Sequence, residues 1–349
     1  MNIFLDDTLC KKELYPLSLT RHVSEIRIGI FTIKEKWELL LRNKDYHIII
    51  STENCNEFIS IPANIIPTAD NYMLLIESSN CNKPIKESNT IKIIKYPWHI
   101  FQYNDWSLRK DFEYLTQQRK SAAIASSNNI INTKDIFIED GAQIEYCSLN
   151  ASTGPIYIGK NAVIMEGSLI RGPFSLGENS VVKMGTKIYG ATTIGPNCVV
   201  GGEIKNSVLF ENSNKAHDGY LGDSVIGAWC NLGAGTNNSN VKNNGSDVKY
   251  EIDSLTEAVS AGNKAGLIMG DYSRSAINTS FNTGTIVGVC CNIFEPGFPP
   301  KHTTNFSWGK EYYNLEKAIK DIDHWKKMKN NSISKVEIDM LTFLHAKTT

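Results

Sequence analysis

The sequence predicts an α/β front domain followed by a left-handed parallel β-helix of hexapeptide repeats, closed by two helices. Three observations carry this reading. Glycine divides the chain, because only Gly29 lies among the first 140 residues while the other 24 glycines follow. From Ile158 an apolar residue returns at every sixth position: Ile158, Ile164, Ile170, Leu176, Val182, Ile188, Ile194 and Val200. Toward the end the spacing becomes helical, with Leu315, Ile319, Ile322 and Trp325 on one face and Val336, Met340 and Leu344 on the next.

The front segment mixes short β-branched runs, residues 47–51 and 91–94, with helical stretches at 32–41 and 106–115, the pattern of an α/β domain. In the repeat region, apolar residues scattered at their overall frequency would give eight hits in a row on the order of once per thousand starting points. The residue four places after each apolar one is small at Ala162, Ser168, Ser180, Thr186, Thr192 and Cys198, which lets the chain turn a corner. Each six-residue strand is then one side of a prism whose inward residue stacks on the one eighteen residues further on. An earlier frame includes Ile138 and Ile144. Later ones run through Tyr220, Ile226 and Leu232, then Met269, Ser275, Phe281, Val287 and Ile293. An alternating-period β-sandwich is the competing architecture.

Two interruptions, residues 205–219 and 237–266, are expected to be outside loops, the second long enough to reach a neighbouring subunit. After Ile293 the segment EPGFPPKHTTNFSWG is expected to leave the prism, and the terminal helices to pack against it and cap it.

At 349 residues, with 36 basic and 37 acidic side chains and a formal charge of -1, the chain shows no nucleic-acid or membrane-surface footprint. No run approaches the roughly 18 apolar residues that span a bilayer, so a cytoplasmic location is expected. Eight cysteines occur without a CxxC pair, which suits reduced, buried thiols better than disulfides or zinc.

The segment AHDGYLGDSVIGAWCNLGAGT, residues 216–236, resembles the acetyltransferase site of bifunctional GlmU-type enzymes. Those enzymes join glucosamine-1-phosphate N-acetyltransferase to N-acetylglucosamine-1-phosphate uridylyltransferase. LYPLSLTR, EIRIGIFTIKEKWE, GPIYIG, MEGSLIRGPF, KMGTKIYGATTIGP, SNKAHDGYLG and FNTGTIVG are similar to the alternative bacterial GlmU group, so the resemblance covers nearly all of the chain. With the composition shifts it implies a shortened nucleotidyltransferase-like α/β domain over residues 1–135, a β-helix acetyltransferase domain over 136–309 and a helical extension over 310–349. The family's His, Tyr and two Asn fall on His217, Tyr220, Asn231 and Asn240, and its phosphate-contacting lysine falls on Lys205. A homotrimer is implied, with each acetyl site between subunits and residues 237–266 completing the neighbour's site.

The chemistry of these residues is coherent. Acetyl transfer from acetyl-CoA, as co-substrate, to an amino sugar 1-phosphate needs a base, and a histidine serves at neutral pH. His217 is the one histidine in the repeat frames; a solvated loop histidine is the bland alternative. Tyr220 and Asn231 can orient the sugar, while Asn240 and Lys205 reach its hydroxyl groups and phosphate. Gly233, Ala234 and Gly235 have little bulk, so a pantetheine arm can lie beside them with backbone N–H groups near the developing oxyanion. No metal is implied for this step: β-helical carbonic anhydrases use three zinc-binding histidines, and residues 205–235 contain one.

A nucleotidyltransferase front domain would carry a glycine-rich phosphate loop after its first strand. Here LDDTLCKKELYPLSLTRHVSE contains no glycine; Pro16, Thr20 and Arg21 remain of the signature, with His22 in place of a proline. Arg21 is the candidate nucleotide-phosphate contact. Arg27 and Lys36 are further candidates, Lys36 being better read as solvated surface charge. Asp6 and Asp7 either hold Mg²⁺, needed only if this domain turns over UTP, or begin a turn. Three functions follow: a bifunctional enzyme making UDP-N-acetylglucosamine, an acetyltransferase with an inactive front domain, or a non-enzymatic trimeric scaffold. If both activities exist they should be separable, so that a chain beginning near Ile136 would still trimerise and acetylate.

Overall fold

The computed structural model describes residues 1–53, 55, 57–252 and 257–348. The front domain is built on the strand Asn2–Asp6, which lies between the parallel strands His47–Ile49 and Phe58–Pro62. Ile3, Leu5, Ile59 and Ile61 point into its core, the period-two pattern of a half-buried sheet. The helix Ile33–Leu41 starts at a capping box between Thr32 and Glu35 and buries Ile33, Trp37, Leu40 and Leu41. The helices Tyr72–Asn80 and His99–Thr116 complete the domain.

From Asn129 the chain winds into a three-sided parallel β-helix, beginning ahead of Ile136. Nine strands, from Ile136–Ile138 to His302–Thr303, form the first face; the second face has ten, beginning at Gln143–Ile144. Six strands from Asn129–Ile131 to Tyr220–Gly222 form the third, with Asn237–Asn238 and Ser280–Phe281 beyond them. The expected stacking is found: Ile158 pairs with Leu176 and Leu176 with Ile194, as Ile164 does with Val182 and Val182 with Val200. These side chains make one continuous apolar core.

The interruption at 205–219 is not a loop. Ile170 pairs with Ile188, but Ile188 pairs with Ile204 and Val200 with Lys215, so the coil is shortened by two and three residues while its strands persist. The shortening shifts the frame. Leu221, 1 % exposed, takes the inward slot assigned to Tyr220, which lies outward. Nor does the chain leave the prism after Ile293. Following residues 295–300 it returns as His302–Thr303 and Ser307–Trp308, which pair with the strands of the preceding coil, so a second histidine lies within the solenoid.

The first face is buried on both sides. Its outward side chains Phe137, Tyr157, Ser175, Thr193, Val208, Val225, Ile268 and Ile286 are all buried beneath the front domain. Ile28, Trp98 and Phe101 of that domain share one core with Val208, Phe210, Val225, Ile268 and Ile286. Gly29 links the layers: its N–H donates to Asn104 Oδ1 at 2.8 Å and its carbonyl accepts from Thr193 Oγ1 at 2.8 Å. With φ of +68° and the carboxylate of Asp111 beneath it, no residue with a Cβ fits there.

Part of the insertion at 237–266 joins the same core. Residues 253–256 lie outside the described residues, but Val248, Tyr250, Ile252, Ala261 and Ala265 are buried against the front domain. Tyr250 stacks on Trp98 with ring centroids 5.0 Å apart, and Gln102 Nε2 donates to the Ala261 carbonyl at 2.9 Å.

The terminal helices Leu315–Lys327 and Lys335–Thr348 pack Ala318, Ile322, Leu341 and Leu344 over Tyr272, Val289, Cys290 and Phe306. Val336, expected on the buried side, is 78 % exposed. Lys329 Nζ fastens the connection to the prism through the carbonyls of Asn197, at 2.6 Å, and Asn212, at 2.9 Å. The eight cysteines are free thiols, with Cys147, Cys198 and Cys230 buried in the repeats. No helix among the described residues is long and apolar enough to cross a membrane.

This shared core argues against the expectation that the β-helix stands alone. A shortened chain of residues 129–349 should bare the apolar outer row of the first face and aggregate. Size-exclusion chromatography with a hydrophobic dye checks this, and a monodisperse, dye-silent product would show that the face does not need its cover.

Candidate functional site

His217 stands at the corner joining the second face, at Asn214–Lys215, to the third, at Tyr220–Gly222. Its side chain is exposed, and its imidazole makes no hydrogen bond among the described residues. The corner of the next coil, Gly233 to Thr236, lies directly beyond, with Gly235 N–H donating to the Asp218 carbonyl at 3.0 Å. A Cβ on Gly233 would run into the backbone of Ala276 and Ile277 in the coil after it, so the close coil spacing itself requires glycine there. Gly233, Ala234 and Gly235 thus form a low ledge beside His217.

On the third face the sequence places a polar group. The phenol of Tyr220 folds back over Gly222, where any Cβ would overlap its hydroxyl. Asn240 Nδ2 donates to Tyr220 Oη at 3.0 Å and to Asp223 Oδ2. Asp223, 3 % exposed, also accepts from Asn206 Nδ2 at 2.6 Å. A carboxylate only accepts, so it turns the amide nitrogen of Asn240 inward and leaves Asn240 Oδ1 as an acceptor. Burial, then the charge of Asp223, push the Tyr220 phenol up to about 12. It remains a neutral O–H, accepting from Asn240.

Lys205 is paired with Gly222 in register, which sets it beside this group. Its Nζ lies 6.0 Å over the ring of Tyr189, whose hydroxyl donates to Glu203 Oε1 at 2.6 Å. Lys205, Tyr220 and Asn240 are therefore gathered on one face next to the His217 corner. Asn231 is not: it lies on the outer side of the second face, accepting from Asn214 Nδ2 at 3.4 Å and paired with Arg274. Sequence reasoning missed Asp223, which holds Asn240, and Asn206, which holds Asp223. The glycine before Asp223, admitting the Tyr220 ring, was the local signal.

The front-domain candidates are engaged elsewhere. Arg21 is largely buried, its side chain 10 % exposed: it pairs with Asp271, 3 % exposed in its side chain, and with Glu211 at 3.2 Å, both on the β-helix, and lies 4.9 Å over the ring of Phe210. Burial opposes ionisation of Glu211, but Arg21 and Arg27 outweigh it and hold that carboxyl below its ordinary range. Thr20 Oγ1 also donates to Asp271, at 2.7 Å. Arg27 donates to the Ile30 carbonyl at 2.8 Å, and Lys36 is not solvated but buried against Asp111 and Ser107. Asp6 begins a turn, accepting from the Thr8 N–H at 2.9 Å, and Asp7 accepts from the Val23 N–H at 3.3 Å and faces His22 and Lys11.

The loop that would hold phosphates has spent most of its donors. The N–H groups of Thr8, Cys10, Lys11, Leu17, Ser18, Leu19, His22, Val23, Ser24 and Glu25 all bond within the loop or to Asp6.

Residues 2–84 match a family model described as sugar nucleotidyl transferase. The chain is 37% identical over 205 residues to the bifunctional protein GlmU of Methanococcus maripaludis, across 56% of this chain and 41% of that protein. It is 29% identical to the bifunctional sugar-1-phosphate nucleotidylyltransferase/acetyltransferase of Sulfurisphaera tokodaii, across 64% of this chain and 51% of that one. A solved structure of the Arabidopsis UDP-N-acetylglucosamine acyltransferase is similar with a TM-score of 0.30 and 16% identity, over 64% of this chain and 90% of that one. By sequence the chain is GlmU-like, as its motifs indicated, and it spans about half or less of these curated relatives' length.

Arg21 emerges as a clamp between front domain and prism. Arg21→Met leaves Asp271 and Glu211 without their cation and should cost about 3 kcal/mol or more, the range for breaking a buried pair. A thermal melt reads this; an unchanged melting temperature would return Arg21 to a ligand-binding role.

Proposed function

We propose that this chain is an acetyl-CoA-dependent N-acetyltransferase acting on an amino sugar 1-phosphate, glucosamine-1-phosphate being the first substrate to test. The observation that carries the reading is the single corner where an exposed His217 meets the Lys205, Tyr220 and Asn240 group on one side and the low ledge of Gly233, Ala234 and Gly235 on the other.

In this reading His217 takes a proton from the amine nitrogen as that nitrogen bonds to the thioester carbonyl carbon, and returns it to the departing thiolate as the C–S bond breaks. The O–H of Tyr220 and the carbonyl oxygen of Asn240 hold the sugar hydroxyl groups in complementary senses. Lys205 carries the positive charge that meets the phosphate. Backbone N–H groups at the Gly233 to Gly235 ledge face the oxygen on which charge develops. Asn231, on the second face, meets substrate only from across the corner.

A homotrimer fits the surfaces the chain leaves uncovered. On the outer side of the second face, Val163, Val181 and Val199 form a half-buried apolar row. Beside it, on the corner that carries His217, Tyr146 is 67 % and Met184 69 % exposed. Burying such a row against a second copy would bring a neighbour to the edge of the His217 corner. Val181→Asp should therefore convert trimer to monomer in light scattering; a wild-type chain that is monomeric at micromolar concentration would sink the assignment.

The front domain, in this reading, is a structural cover and not a nucleotidyl-transfer unit, because its loop donors and Arg21 are spent internally. The alternative, a bifunctional enzyme that also forms a UDP-sugar with Mg²⁺, is favoured by the family-model match over residues 2–84.

Two assays test the proposal. His217→Ala should lower acetyl-CoA turnover with glucosamine-1-phosphate by about 10² to 10⁴, the range for a lost general base, with little change in melting temperature. The intact protein with UTP, Mg²⁺ and sugar 1-phosphates should release no pyrophosphate. Full turnover in the mutant would return His217 to an ordinary surface residue, and robust pyrophosphate release would establish the bifunctional reading.

A further inference from the structure

The inward slots of the prism are apolar along most of its length, but the coil beneath His217 carries a charge. Lys215 occupies the inward position of the strand Asn214–Lys215, paired with Val200, and is 1 % exposed. A leucine or valine would fill that slot without desolvating an ammonium. Burial pulls the Lys215 amine down to about 8, with Asp218 opposing. Its hydrogen-bond partners are backbone carbonyls: Nζ donates to Gly201 O at 3.3 Å and to His217 O.

Those two carbonyls lie on successive coils of the same corner. The coils meet closely there, for Gly201 N–H donates to the Lys215 carbonyl at 2.7 Å, and a Cβ on Gly202 would lie 2.8 Å from His217 O. One ammonium therefore ties the preceding coil to the main chain of the residue that carries the imidazole. The imidazole itself is exposed and makes no hydrogen bond among the described residues. Its direction is set by the backbone from which it projects. The corner also lies on the shortened coil, where Val200 pairs with Lys215.

We propose that Lys215 is the positioning residue of the His217 site: from inside the prism its ammonium grips the His217 carbonyl and fixes the corner that aims the imidazole. This rests on the reading of His217 as the acetyl-transfer base. A displacement of about 1 Å at a reacting group can cost on the order of 10²-fold in rate even when substrate binding is untouched. Removing the buried ammonium, by contrast, relieves its desolvation while leaving the Gly201 and His217 carbonyls without that donor, so the two effects on stability oppose each other. A positioning role therefore predicts a loss of kcat without a matching loss of stability.

Lys215→Met keeps the stem and removes the donors. In the full-length protein it should lower kcat by about 10²-fold, with KM for acetyl-CoA and for glucosamine-1-phosphate changed by no more than about twofold. Its melting temperature should stay within a few degrees of the wild type, because the relieved desolvation and the lost carbonyl hydrogen bonds oppose each other. Lys215→Gln, which keeps an N–H donor, should lose less of kcat than Lys215→Met. A folded Lys215→Met with wild-type kcat overturns the inference. So does a parallel fall of kcat and melting temperature in both variants, or the failure of both to fold, either of which makes Lys215 a structural residue. Retained turnover in His217→Ala is a separate outcome: it removes the base on which the inference rests, whatever Lys215→Met does.

Discussion

A nine-stranded parallel sheet that buries both of its sides governs most of what this protein can do. Its inner side belongs to the solenoid, where each side chain stacks on its counterpart one coil away. Its outer side, from Phe137 to Ile286, has no partner within the solenoid, and the front domain and the insertion supply one. Each apolar side chain removed from water there contributes about 1.5 to 3 kcal/mol before entropy is counted, and the row is long. Polar links then select one arrangement of the layers. Asn104 donates to the Ala191 carbonyl at 2.8 Å while accepting from Gly29, and Thr193 closes the group from the prism side.

The same interface determines the chemistry left to the front domain. A phosphate-binding loop works by keeping several N–H groups free and converging, usually with glycine to admit close approach. Here the segment after the first strand is a packing element. Its N–H groups close turns within it, Pro16 rests against Gly270, and Thr20 and Arg21 turn into the β-helix to meet Asp271. Asp271 in turn accepts from the Ala228 N–H at 2.8 Å, so the ion pair is tied into the solenoid's own backbone. Stabilising the interface and binding a triphosphate draw on the same donors.

At the other end of the argument stands the shortened coil. Removing residues from two sides of a prism forces its corners together and moves the inward frame, which turns Leu221 inward and Tyr220 outward. The polar groups of the site follow from that shift. Tyr220 lies over Gly222, Asn240 bridges it to Asp223, and Asn238 faces inward with its amide oxygen accepting from the Gly222 N–H at 2.8 Å and its amide nitrogen donating to the Gly222 carbonyl at 3.0 Å. A regular coil would have placed an apolar residue at each inward slot and left the third face without this group.

The sequence by itself determined the solenoid, since a six-residue period is a local property that the chain expresses wherever inward residues must stack. It also offered His217, Tyr220, Asn240 and Lys205 as candidates, through the resemblance of residues 205–240 to a known acetyltransferase site, and the fold sets Lys205, Tyr220 and Asn240 on one face. The missing glycines after the first strand were equally legible. What only the tertiary structure decided are the properties that depend on distant partners. Arg21 and Asp271 are some 250 positions apart, and nothing near either announces an ion pair. Lys36 looks like a surface charge until Asp111 and Ser107 close over it. The insertion looks like a free loop until Trp98 stacks on Tyr250. Asn231 looks like a neighbour of Tyr220 until the corner puts them on different faces. In each case the sequence fixes which groups are available, and the free energy of burying them is settled only by which surfaces the fold brings together.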